Sequence, residues 1–225
     1  MVFVYFRRDD ILLQSLWNPW LSFKIFGGFL MRFLSLITGS VFYDLLVHGR
    51  EIERAIARQD AHMLNHSTPE LERYFSRPGS ELPRQNAFPI ATLFPLFLVA
   101  FAFNLLPFLH TLPGLSPQLH ALSFFAPSLV MLVALITASV LVARGFTAGL
   151  TGFLSLFLIL LALTVSQLLS QLLAGAGSVW PLAIAALALL CCRRIFNSRG
   201  FVLFAVYCRT QRLANLARKV RTRGD

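Results

Sequence analysis

Between Phe88 and Cys192 the chain carries a single charged residue, Arg144, and that limits what it can fold into. Four apolar blocks fill this stretch, separated by short breaks rich in Gly, Pro and small polar residues. Phe88–Leu109 is 22 residues, about 33 Å as a helix; Leu122–Val142 is 21, about 31 Å; Leu150–Leu173 is 24, about 36 Å. Each matches a hydrocarbon core of about 30 Å, in which a chain must satisfy its own backbone hydrogen bonds. Trp180–Cys192 is 13 residues, roughly 20 Å, and needs help from a start near Ala176 and from Arg193 and Arg194 reaching outward at its far end. The expected fold is an all-α integral membrane protein. About four transmembrane helices are preceded by an amphipathic, interfacial N-terminal helix and a short cytoplasmic helical segment.

The charge is distributed accordingly. The net charge is +10, but residues 193–225 hold nine Arg or Lys and one acid, so the rest of the chain accounts for only +2. Basicity concentrated beside a membrane segment points to anionic lipid headgroups and away from nucleic acid. The expected headgroup contacts are Lys24, Arg32, Arg193, Arg194, Arg209, Arg212, Arg218, Lys219 and Arg221. The breaks at 110–121 and 174–179 contain no Arg or Lys, whereas residues 48–87, just before the first span, hold six Arg. By the positive-inside rule, residues 48–87, Arg144 and both termini are cytoplasmic. Eighteen Arg against two Lys is the usage of a GC-rich bacterial genome, so the expected location is the bacterial inner membrane.

Four segments follow: residues 1–47, membrane-associated; 48–87, a cytoplasmic helical segment and linker; 88–192, the transmembrane bundle; 193–225, a basic juxtamembrane tail. In the first, Asn18-Pro19 starts a helix on which Lys24, Gly28, Arg32, Ser35 and Gly39 form one polar stripe. That stripe suits a helix lying in the interface, anchored by Trp17 and Trp20; spanning would bury Lys24 and Arg32 at about 2.5–3.5 kcal/mol each. Residues 48–87 hold too few large apolar groups to form their own core. Ser67-Thr68-Pro69-Glu70 opens a helix there, and Ile52, Ile56, Tyr74 and Phe75 are the groups available to dock on a partner.

Sites for chemistry are weak. His62 and His66 lie four apart, as metal ligands on a helix would, with Asp60 and Glu70 nearby, but Arg50, Arg54 and Arg58 continue the same row and oppose a cation. Neither a nucleophile elbow nor a phosphate loop occurs. No catalytic residue, metal or cofactor is expected. Ser166, Gln167, Ser170 and Gln171 suggest interhelical hydrogen bonds, and Gly145, Gly149 and Gly152 suggest close helix packing. The expected function is therefore that of a non-enzymatic accessory or scaffold subunit of a secretion, conjugation or exclusion/immunity assembly. It would contact other membrane-protein subunits or copies of itself. The alternatives are a small oligomeric transporter or channel, and a membrane enzyme using His62 and His66.

Overall fold

A computed structural model describes residues 34–58, 69–76, 86–110, 116–174 and 179–224. The described residues are helices joined by short turns, with no strand among them. In chain order the helices are α1 (Ser40–Arg58), α2 (Pro69–Ser76), α3 (Phe88–His110), α4 (Pro117–Ala143), α5 (Thr147–Ala174), α6 (Trp180–Phe196) and α7 (Arg199–Gly224). Ser35–Asp225 form one compact unit; Met1–Leu34 form a second, of which all but Leu34, the expected stripe residues Lys24, Gly28 and Arg32 included, lie outside the described residues.

Local chemistry sets the helix limits. Ser116 caps α4, its hydroxyl accepting from the Leu119 N–H, with Pro117 preset for the first turn. At the other end Gly145 takes φ +74°. The Phe146 N–H then donates to the Leu141 carbonyl and the Gly145 N–H to that of Val142, each at 2.9 Å. This paired closure uses two of the carbonyls a helix end leaves open. Ser198 caps α7 through the Phe201 N–H. Pro95 and Pro107 lie inside α3, as helices in apolar surroundings tolerate when neighbours and side chains take up the freed groups.

Three helices are long and apolar enough to cross a membrane: Phe88–Leu109, Pro117–Ala143 and Thr147–Leu173. A fourth crossing results if α6 and α7, bent by 55° at Asn197-Ser198, count as one broken span. Residue for residue α6 reaches Phe196, four beyond the stretch read from hydropathy, giving 17 residues and about 26 Å.

α3 packs chiefly on α6, and α4 on α5. Glycine sets the second contact: a Cβ on Gly149 would stand 2.5 Å from the Val142 nitrogen, and one on Gly152 3.3 Å from the Ala138 Cβ. Close backbone approach of this kind replaces the hydrophobic drive that is missing between helices in lipid. At one end of the bundle Phe196 is the hub of a phenylalanine cluster. Its ring stacks on Phe42 at 4.5 Å and meets Phe97, Phe153, Phe157 and Phe201 at 5.6–6.2 Å. The rings come from α1, α3, α5, α6 and α7, so five of the seven described helices are tied together at this end.

α1 begins just after Gly39, where φ is +96°, and runs unbroken through Val47, across the limit suggested between the first two segments. α7 lies across the bundle end. Gly200 faces Pro89 at the start of α3, and Gly145 presses on the Cys208 carbonyl. Those two points on α7 are eight residues, about 12 Å, apart. α2 packs on α7 as well, with the Phe75 ring 5.3 Å from Tyr207.

Candidate functional site at the charged end of the bundle

α5 starts at Thr147 with no side-chain cap of its own, one residue after the α4 turn closes. The cap comes from α1: Glu53 Oε1 accepts the Thr147 N–H at 2.7 Å. A carboxylate at a helix N-terminus meets unpaired N–H groups and the positive end of the helix dipole. The same oxygen accepts from Arg212 Nη1 of α7 at 3.4 Å. That nitrogen also donates to the Gly145 carbonyl at 3.3 Å, while the guanidinium lies 3.6 Å over the Phe146 ring. Glu53 and Arg212 thus join α1, the α4–α5 turn and α7 in one clasp.

One turn back along α7, Arg209 is 6% exposed and sends both terminal nitrogens to the Leu45 carbonyl of α1 at 3.3 Å. Gly49 makes the approach possible, because any Cβ there would collide with the Arg209 guanidinium and the Thr147 hydroxyl. Burial, with a smaller push from Arg212, holds the Arg209 guanidinium down at about 10 against the opposing pull of Glu53. It stays charged at neutral pH, so this end of the fold encloses a cation whose nearest compensating charge is Glu53. The buried Thr147 hydroxyl has no hydrogen-bond partner among the described residues.

A second joint lies at the two helix breaks. Asn197 Nδ2 donates to the Thr38 carbonyl at 2.7 Å and to the Arg193 carbonyl at 2.8 Å, while its Oδ1 accepts the Phe42 N–H at 3.3 Å. Arg193 donates through Nε to the Ile37 carbonyl and through Nη2 to that of Leu36, at 2.8 and 2.9 Å. The carbonyls that end one helical turn and an N–H that begins α1 are thus satisfied from the α6–α7 corner.

Between α4 and α7 the surface opens into a groove of about 290 Å³. Arg144, Arg212 and Lys219 line it with the amides of Gln211 and Asn215, and no acid among the described residues contributes.

The expected headgroup residues therefore have different placements. Arg194, Arg218 and Lys219 are exposed, and Arg221 is half-buried. Arg193 is exposed yet bonded to carbonyls. Arg212 is shared between the clasp and the groove, and Arg209 is turned inward, where no headgroup reaches it. Of the expected partner contacts, Ile52, Ile56 and Tyr74 are half-buried, whereas Phe75 is buried against Tyr207. Within the expected cluster of Ser166, Gln167, Ser170 and Gln171, Gln167 alone donates across to another described helix, at 3.1 Å to the Asn104 carbonyl. Ser166 and Ser170 bond within α5, and the Gln171 Oε1 is buried without a partner among the described residues. The principal cross-helix bond is instead Asn104 Nδ2 to Thr164 Oγ1 at 2.9 Å, between side chains 3% and 2% exposed.

His62 and His66 lie outside the described residues, and among those described no three His, Cys, Asp or Glu side chains could share a metal ion. Glu53, Gly49, Thr147 and Asn197 were not visible as site residues in sequence. Arg209 had one signal: it interrupts the small, buried run of Ala205, Cys208, Ala214 and Ala217 on α7. No protein-family model, curated protein or solved structure matches the chain.

Proposed function

We propose that this chain is a non-enzymatic structural subunit of the bacterial inner membrane, crossing four times, the fourth by α6 alone, with both termini in the cytoplasm. It offers α1, α2 and α7 as a basic platform to other membrane-protein subunits or to further copies of itself. The clasp carries this reading: Glu53, Arg209 and Arg212 hold two polar helices firmly across one end of an apolar bundle. Side chains spent on fixing a surface suit a protein whose task is to present that surface. Orientation is supported by Arg144, Arg193, Arg194 and Arg199, which gather at this same end.

Two measurements test it. In a background lacking Cys191, Cys192 and Cys208, a thiol at Ser116→Cys should react with an impermeant reagent from outside the cell, and one at Arg144→Cys should not. Arg144 is the better inner probe because Gly145 is packed against Cys208. The half-buried pair Ile56 and Tyr74 should, as Ile56→Asp/Tyr74→Asp, release co-purifying subunits while the protein still inserts. Retention of every partner would sink the scaffold reading. A transporter or channel is the second reading, favoured by the Oδ1 of Asn104 and the Oε1 atoms of Gln167 and Gln171, three buried oxygens with no donor among the described residues. It requires a ring of copies and a flux in proteoliposomes that Asn104→Leu removes.

A further inference from the structure

We propose that the groove between α4 and α7 binds one anionic phospholipid, with its phosphate on Arg144, Arg212 and Lys219 and an acyl chain on α4. The cationic side is built by two elements. Arg144 stands at the α4 C-cap, and Arg212 and Lys219 lie two turns apart on the groove face of α7, with Asn215 between them and Gln211 next to Arg212. Arg212 gives one nitrogen to Glu53 and Gly145 and keeps its other donors; Arg144 and Lys219 carry undivided charge. The negative end of the α4 dipole opposes an anion here, but its partial charge is smaller than one cation, and two of its carbonyls are already bonded in the Gly145 closure. Guanidinium and ammonium groups with neighbouring amides are suited to phosphate oxygens and to headgroup hydroxyls.

The choice of a lipid over a free phosphate comes from α4 itself. Leu129, Val133, Ile136 and Val140 are each 44–63% exposed and recur at helical spacing down to Ala143, which lines the groove. An apolar stripe thus leads into the cations, as a chain leads to its headgroup. The assignment rests on the reading that α4 crosses the membrane, and lipid binding is scored separately from any partner.

The test is native mass spectrometry of the whole protein in mild detergent, supplied with phosphatidylglycerol or phosphatidylcholine. Wild type should retain one phosphatidylglycerol per chain in preference to phosphatidylcholine. Arg144→Gln/Lys219→Gln should weaken retention roughly tenfold or more, as expected for two near-surface cations. Arg194→Gln/Arg218→Gln removes the same charge away from the groove and should stay within about twofold of wild type. Arg144→Lys/Lys219→Arg, which keeps both charges, should restore binding and so separates loss of the site from loss of the fold. Equal weakening in the two Gln pairs would show diffuse attraction and overturn the groove. Displacement by glycerol phosphate as effective as by the lipid would overturn the acyl-chain assignment, and displacement by an oligonucleotide at physiological salt would overturn the lipid altogether. Retention of every co-purifying subunit by Ile56→Asp/Tyr74→Asp would refute the scaffold reading, and binding of the lipid by the same variant would leave this one standing.

Discussion

Glu53→Gln is the sharpest perturbation of the clasp, because it keeps the shape and an acceptor oxygen while removing the charge. The Thr147 N–H, now 2.7 Å from a carboxylate oxygen, would meet a neutral amide oxygen and lose about 1 kcal/mol, the difference between charge-assisted and neutral bonds. The pair with Arg212, whose side chains are 22% and 33% exposed, contributes about 0.5 kcal/mol after solvent screening. Arg209 loses its compensating charge while buried, which costs on the order of 1 kcal/mol or more. The sum is about 2–3 kcal/mol, confined to the docking of α7 and α1. Amide hydrogen exchange in nanodiscs should then run roughly 30-fold or more faster over residues 205–217, with the interior of α5 unchanged. Arg209→Met removes the buried cation, so Glu53→Gln should cost about 1 kcal/mol less in that background. Exchange within twofold of wild type, or full additivity of the two substitutions, would refute the argument.

Gly149→Ala should lower stability by about 1–3 kcal/mol, since the new Cβ meets α4 backbone, and thermal unfolding in detergent checks this. Asn197→Leu strands the Thr38 carbonyl and the Phe42 N–H and should cost about 2 kcal/mol, seen as faster exchange at the start of α1. Thr164→Val removes one bond to Asn104 and should cost only about 0.6 kcal/mol, because the amide keeps the Ala100 carbonyl; a larger loss of thermal stability would contradict this.

The apolar helices were legible in sequence because hydropathy is a local property. Phe88–Leu109 and Leu150–Leu173 fall within a few residues of α3 and α5, and the gain at the start of α4 is the Ser116-Pro117 cap. Gly145, Gly149 and Gly152 are at close contacts, as small residues between apolar runs suggest. The clasp was not legible because its bonds join residues 67 to 164 apart, and nothing local marks Glu53 from its acidic neighbours. Arg209 misled for a physical reason. An arginine beside a membrane usually reaches for lipid, and it turns inward here only because Gly49 leaves room and the Leu45 carbonyl accepts it. The same lack of long-range information assigned Phe75 to a partner when Tyr207 covers it.

The bond from Arg209 to Leu45 also has a meaning in time. Its two ends are 164 residues apart, so at about 5–20 residues per second the ribosome makes the second roughly 10–30 s after the first. Throughout that interval α1 carries Glu53 and an empty seat at Gly49, beside a bundle that is being completed helix by helix. α7 is the element that closes the clasp, and it is synthesised after every helix it fastens. A nascent chain stalled before Arg209 would therefore expose an undocked α1 to proteases, so sensitivity of α1 to cleavage measures whether synthesis has passed α7.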